Sequence, residues 1–335
     1  MGSTAENILV VQIASGGEVV LSTAVIQALR ANYPASQISC LTTVAGAEVI
    51  KNHPDLDQIL TWEQQRFKRV KEDSGIFSAL SLARPLLKQL KDGNFDLVVD
   101  LNNTYASAFF SFSTHAAQRI GFKDNLSSLL YTTRVVPDRE LHIVDDYFNL
   151  LKQLELDIDN YQPEFEIVVK QQAKDYITRL LGKYNIKQET NVVLFNLDGR
   201  AGTWPVDKFV ALGEWLAENT ASRLLLVGSE DYKRRAEQIT TKINAKVLNL
   251  IGQTSSDQLA DLVARVDLVV SPVSEVLYFA QVANTPLVAL FATSDPARLG
   301  PYQGNNVMIR SRTDKIEDIS VKSVINHLNL VNPKL

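Results

Sequence analysis

A chain of 335 residues is too long for one ordinary core and fits two domains of about 150 residues each. Hydrophobic residues at 45% and charged residues at 21% exclude a disordered or collagen-like polymer. The net charge of −4, from 38 acidic against 34 basic residues, supplies no global field to attract nucleic acid, which is not expected as a partner.

The single cysteine, Cys40, excludes an intrachain disulfide and reads as a core thiol in a reducing compartment. No basic, apolar leader precedes Ile8 and no run of about 18 apolar residues occurs, so neither a signal peptide nor a spanning helix is expected, and the expected location is cytoplasmic. Gly2 to Thr4 read as a cloning remnant.

In chain order, short β-branched runs alternate with longer helical patterns, the signature of parallel βαβ units. Residues 8–13 form the first strand. After the turn Ala14-Ser-Gly-Gly17 comes a helix whose Val20, Leu21, Ala24, Ala28 and Leu29 share a face. Strands follow at 38–42 and 97–101, with a helix over 76–90 between them. The charge run at 66–73 reads as a solvated face. An amphipathic helix covers 142–154, and the polar, proline-containing stretch 157–163 marks a boundary. The predicted domains are therefore 1–156 and 164–335, with the last helix a candidate to pack back on the first domain. Second-half strands fall at 192–197, 223–227, 247–250, 268–270 and 287–291. Ser255 with Gln258 forms a capping box at a helix start. Two doubly wound sheets place ligands at the carboxyl ends of their strands.

Several chemistries lack their fingerprints. The four histidines make no His-x-x-x-His pair, so no metal site is expected. Neither a phosphate-binding loop with Gly-Lys-Ser/Thr, nor Gly-x-Gly-x-x-Gly, nor a Gly-x-Ser-x-Gly elbow is present. The first turn instead offers Gly16 and Gly17, which let a ligand approach the backbone, and Glu18 in the first helical turn. By itself Glu18 also fits a carboxylate that complements the helix dipole.

Residues 8–30 resemble the opening of glycosyltransferase family 9, the ADP-heptose:lipopolysaccharide heptosyltransferases. So do residues 96–102, Arg119-Ile-Gly-Phe122, His142-Ile-Val-Asp145, Trp204-Pro205, Gly252-Gln-Thr-Ser255, and residues 264–270, 285–291 and 295–302. The resemblance implies a GT-B fold, two Rossmann-like α/β domains facing a cleft. It further implies metal-independent inverting transfer from a nucleotide-sugar, ADP-linked in that family's pattern, to a glycolipid or other cell-surface glycan acceptor. The nucleotide-sugar is a substrate, and no cofactor is expected. Glu18 stands where the family carries Asp and is the candidate base. The first domain would hold the acceptor through Gly16, Gly17, Arg66, Lys68, Arg69, Asn102 and His142. The second would hold the donor through Arg200, Thr203, Leu250, Gly252, Ser274, Glu275 and Tyr278, with the base near residues 250–252. Peripheral association with the inner membrane is compatible with a lipid-linked acceptor, although no strong amphipathic basic helix demands it.

The donor segment departs from the family's Asp-Ser-Gly-Pro-Met-His. Here it is Val273-Ser-Glu-Val-Leu-Tyr278, and Gly202 replaces a basic residue. A Glu275 carboxylate at about 5 Å from a phosphate charge, with an effective dielectric near 20, costs about 3 kcal/mol, roughly a hundredfold in affinity. Three readings follow. An active transferase predicts that Arg200 or Arg298 converges near Ser274. A non-catalytic paralogue acting as a binding or partner protein predicts that Glu275 and Tyr278 fill the donor site. A sugar-nucleotide epimerase would need further acidic and histidine residues.

Overall fold

The computed structural model describes residues 5–14, 16–154, 156–158, 160–187 and 189–332. Gly2 to Thr4 lie outside the described residues. Two compact units divide the chain, Met1–Glu166 and Ile167–Leu335.

In the first unit the strands are β1 (Asn7–Gln12), β2 (Gln37–Thr43), β3 (Gln58–Trp62), β4 (Leu97–Asp100), β5 (Gln118–Phe122) and β6 (Thr133–Val135). They form one parallel sheet in the order β3-β2-β1-β4-β5-β6. Its helices are α1 (Gly16–Asn32), α2 (Val44–Ile50), α3 (Gln64–Asp92), α4 (Tyr105–Ser113) and α5 (Ile143–Leu151), with a 3-10 turn at Leu126–Leu130.

The second unit repeats the plan with β7 (Val192–Asn196), β8 (Arg223–Val227), β9 (Val247–Asn249), β10 (Leu268–Pro272), β11 (Leu287–Phe291) and β12 (Asn306–Arg310). The order is β12-β11-β10-β7-β8-β9. Its helices are α6 (Gln171–Lys183), α7 (Val206–Thr220), α8 (Lys233–Lys242), α9 (Ser256–Val263), α10 (Glu275–Ala283), α11 (Pro296–Leu299) and α12 (Val321–Val331). These are the two doubly wound parallel-sheet units expected of GT-B.

Both sheets grow outward from their first strand and then reverse past it. The switch points, β1 beside β4 and β7 beside β10, are where such sheets bind ligands. The central strands are continuous apolar runs because helices cover both faces: β4, β7, β10 and β11 are buried throughout. Cys40 is buried in β2, and burial pushes its thiol up to about 12. Among the described residues, no helix is long and apolar enough to cross a membrane.

The structure differs from the sequence expectation in two elements. The helix expected over 76–90 begins earlier, at Gln64: the first part of α3 carries the charge run 66–73 as the solvated face expected, and it breaks at Gly75, where φ is 82°; a positive φ suits glycine and ends the helical path. The helix expected through 154 stops at Leu151 and tightens into a 3-10 turn at Lys152–Leu154. The connector belongs to the first unit: Asp157 N–H donates to Asn32 Oδ1 at 3.0 Å, Tyr161 stacks on Phe148, and Glu166 N–H donates to Thr23 Oγ1 at 3.1 Å. α12 lies on β11, β12 and α7, where Val324, Leu328 and Val331 enter the second core.

Candidate functional site

At the first switch point the register sets Val11 of β1 opposite Asp100 of β4, so Gln12 and Asn102 emerge side by side. Asn102 Oδ1 accepts from Ile13 N–H, and Asn102 Nδ2 donates to Gln12 Oε1. Gln12 Nε2 in turn donates to the Tyr147 hydroxyl of α5 at 3.0 Å. Asn102, expected to meet an acceptor, therefore holds the turn that delivers α1. Gly16 and Gly17 open that helix and Glu18 follows in its first turn, only 7% exposed.

Beneath this turn lies Asp100, fully buried. Burial raises its pKa, opposed by hydrogen bonds from Asn102 N–H (2.9 Å), the Tyr131 hydroxyl (2.8 Å) and the Ser111 hydroxyl (3.0 Å). The Tyr131 ring reaches Asp100 across Gly121, where an added Cβ would meet the ring at 2.5 Å. The Arg-Ile-Gly-Phe segment thus has a packing reason. Polar ends on apolar strands, Gln12 and Asp100, were the sequence signal for this network.

His142 is the N-cap of α5, with Nδ1 accepting from Val144 N–H at 3.2 Å. α5 packs against α1. Arg66, Lys68 and Arg69 are exposed on α3, and Arg66 pairs with Glu63 at 2.9 Å. α3 packs on β3 and α4. The structure therefore gathers Gly16, Gly17, Glu18 and Asn102 at the switch point and places the basic run on a different helix.

At the second switch point Val270 pairs with Phe195, which brings Asn196 level with Ser271. The Asn196 amide nitrogen lies 2.8 Å from Ser274 Oγ, 2.9 Å from Ser271 Oγ and 2.9 Å from the Asp198 carbonyl. Ser274 is the N-cap of α10 and accepts from Val276 N–H at 3.3 Å. Arg200 N–H donates to the Val273 carbonyl at 2.9 Å, so the β7–α7 loop lies against the entry to α10. Gly199 permits this approach: an added Cβ would stand 2.8 Å from the Pro272 side chain. The Arg200 side chain is exposed. Thr203 is buried, and among the described residues its Oγ1 has no hydrogen-bond partner. Trp204 anchors the loop by donating from Nε1 to the Ile319 carbonyl at 3.0 Å.

The rim of this corner is acidic. Burial raises the Asp198 pKa against two hydrogen bonds from Ser229, with Asp231 adding to the rise. Burial, reinforced by the Asp198 charge, pushes the Glu275 carboxyl up to about 7. Its protonated form therefore coexists with the anion near neutrality, which corrects the full-charge repulsion derived from sequence. Glu230 lies over Gly252, where φ is 68° and an added Cβ would meet its carboxylate. Leu250 is fully buried, and the N–H groups of residues 250, 251 and 252 donate to Leu226 O, Asn249 Oδ1 and Gly228 O. The Leu250 side chain thus has no ligand-facing surface, which restricts any contact there to the main chain.

Tyr278 is buried, and its hydroxyl donates to the Leu299 carbonyl of α11 at 2.9 Å. That hydrogen bond holds the ring against α11. Arg298 stands on α11, the helix that Tyr278 contacts. Asn196, Asp198 and Ser271 were not singled out from the sequence; a polar residue closing each apolar strand was the available signal. Among the described residues, no group of three or more His, Cys, Asp or Glu is placed to hold a metal ion.

The sequence model for glycosyltransferase family 9 (heptosyltransferase) matches residues 83–328, a span that begins beyond α1 and includes the whole second sheet. Lipopolysaccharide core heptosyltransferase OpsX of Haemophilus influenzae is 22% identical over 305 residues, 89% of this chain and 82% of that protein. A solved family 9 glycosyltransferase from Veillonella parvula has a TM-score of 0.79 at 19% identity, covering 98% of this chain and 99% of its own. The Escherichia coli heptosyltransferase WaaC, solved with ADP, gives 0.77 at 18% identity, covering 96% and 99%. These structural likenesses share the fold, and the family match covers most of the sequence. The chain therefore belongs to glycosyltransferase family 9, the heptosyltransferases, and is a glycosyltransferase.

Proposed function

We propose that this enzyme transfers a sugar, with inversion and without a metal ion, from an ADP-heptose-like nucleotide diphosphate donor to a lipopolysaccharide or related cell-surface glycan. The donor occupies the corner around Ser274 in the second unit, and the acceptor occupies the Glu18 turn in the first. The observation that carries the reading is the α10 corner: a capped helix N-terminus at a switch point, with the Arg200 loop bonded to Val273 beside it. Helix N-termini favour anions, and the cation of Arg200 adds charge-assisted bonding to a phosphate. The ADP held by the Escherichia coli heptosyltransferase and the lipopolysaccharide activity in the name of the Haemophilus relative support the choice of donor and acceptor.

In the reaction the Glu18 carboxylate takes the proton of the acceptor hydroxyl as that oxygen attacks the anomeric carbon. The anomeric C–O bond to the diphosphate breaks on the opposite face, and ADP leaves with the bonding pair. The α10 N-terminus and Arg200 receive the growing negative charge. Thr203 Oγ1 and a protonated Glu275 are further hydrogen-bond donors for the phosphate oxygens. Near residues 250–252, where the amides are already used, carbonyl oxygens accept from the exocyclic amine of adenine. The reading places the enzyme in the cytoplasm, at the surface of the inner membrane where a lipid-linked acceptor is presented.

ADP release from ADP-heptose, measured with and without a heptose-acceptor lipopolysaccharide, tests this directly. The wild type should release ADP only with acceptor, and Glu18→Gln should lower kcat by about 10²–10⁴-fold while leaving ADP affinity intact. Equal turnover by wild type and variant removes Glu18 as base, and no turnover with any nucleotide-sugar removes the transfer reading.

A further inference from the structure

In the first unit α3 packs on α4, α4 packs on the 3-10 turn Leu126–Leu130, and each of the three carries exposed apolar side chains. Trp62 fixes the two helices, its ring 5.1 Å from Phe67 of α3 and 5.0 Å from Phe110 of α4. α4 in turn packs on the 3-10 turn. Each segment already buries its own inner face: Ala79, Ala83, Leu86 and Leu90 of α3, and Ser107, Ala108, Phe110 and Ser111 of α4.

The outer faces are also apolar. Phe77 of α3 is 88% exposed, and Ile76 and Leu80 are exposed beside it. On α4 the exposed residues are Tyr105, Phe109 and Phe112, spaced i, i+4, i+7 on one stripe. On the 3-10 turn, Leu126 (77% exposed) and Leu129 are three residues apart and eclipse on one side. Isolated exposed apolar side chains need no explanation, but eight of them on three successively packed segments mark an interaction surface.

Charge identifies the partner. The whole chain is acidic, at −4, yet α3 carries seven Lys or Arg against three Asp or Glu. α4 and the 3-10 turn carry no charged side chain. Arg119 stands 5.6 Å from the Phe112 ring. Exposed aromatic and leucine side chains on segments that also carry Lys and Arg match an anionic bilayer, in which rings enter the headgroup boundary and cations meet lipid phosphates. A second copy of the chain fits less well, because a two-fold interface would set one basic α3 against another.

We propose that the outer face of α3, α4 and the 3-10 turn docks the enzyme on an anionic lipid bilayer. The lipid-linked acceptor of the transferase reading gives this docking its purpose. Vesicle binding, however, is measured without donor or acceptor, so either claim can fail alone.

The test is co-sedimentation of the full chain with vesicles of phosphatidylethanolamine and phosphatidylglycerol, and with vesicles of phosphatidylcholine alone. Binding to the anionic vesicles, weakened by salt, and little binding to the neutral ones are expected. The triple variant Phe77→Ser, Phe109→Ser, Leu126→Ser alters only exposed positions. It should bind anionic vesicles at least about tenfold more weakly while keeping its circular dichroism spectrum and its affinity for ADP. As a second readout, Phe77→Cys labelled with an environment-sensitive fluorophore should shift to the blue on anionic vesicles, the buried Cys40 being shielded from label. Failure of the wild type to bind anionic vesicles overturns the proposal, as does a triple variant that binds like the wild type. So does a wild-type dimer that the triple variant splits while vesicle binding is absent, which would assign the face to a second copy.

Discussion

The two switch points use the same strand order to opposite electrostatic ends. In the first unit the carboxyl-rich layer is sunk: Asp100 is fully buried beneath Gln12 and Asn102, and every hydrogen bond described for it comes from within the unit. Ala14, after β1, is half-buried, and Glu18 in the first turn of α1 is 7% exposed. In the second unit the acidic groups stand at the rim, Asp198 beside Glu275, while the neutral amide of Asn196 lies beneath them. On the proposed reading, the first corner holds the Glu18 carboxylate for proton transfer, and the second, with a helix N-terminus beside a carboxyl group raised to about 7, accepts an anion.

Substitutions at the two amides should separate these roles. Asn102→Ala frees the turn leading to Glu18, and a displacement of about 1 Å in a catalytic group costs on the order of a hundredfold. We expect kcat to fall by about that factor with the affinity for ADP unchanged, read by steady-state kinetics and calorimetry. Equal losses in kcat and ADP affinity would merge the two corners. Asn196→Ala releases Ser274 and Ser271 and should weaken ADP binding by roughly tenfold, about 1.4 kcal/mol, with kcat at saturating donor little altered. A loss confined to kcat would move the donor away from α10.

The fold was largely readable from the sequence because the central strands are buried on both faces and appear as uninterrupted apolar runs, as in Leu97 to Val99 and Leu287 to Phe291. The strands that escaped notice include the sheet edges β3, β6 and β12, whose mixed exposure removes that pattern. The Ser255–Gln258 box was readable because capping is local: Gln258 Oε1 accepts from Ser255 N–H at 3.0 Å. The places of Gly16, Gly17 and Glu18 at the opening of α1 and of Ser274 at the start of α10 were legible from turn chemistry and from the family resemblance. Asn196 and Gln12 were not, since the side chains they bond, Ser271 and Ser274 for the one and Asn102 and Tyr147 for the other, lie far away in sequence. The protonation of Glu275 was illegible for the same reason. It depends on burial and on Asp198, which arrives from another loop, so the charge assumed from sequence was too large. The apolar stripe on α4 was hidden because Phe109 and Phe110 look alike in sequence, and packing alone decides that one is exposed and the other buried.

Calorimetry of ADP binding at pH 6 and pH 8, on the wild type and on Glu275→Gln, tests the donor corner most directly. A carboxyl group raised to about 7 is mainly protonated at the lower pH and mainly ionised at the higher. If a diphosphate binds beside it, wild-type affinity should fall by up to about tenfold between the two beyond any change shown by the Gln variant, which reports the titration of ADP itself. Parallel pH dependence in the two proteins, or no ADP binding by either, would contradict the placement of the donor at Ser274 and Glu275.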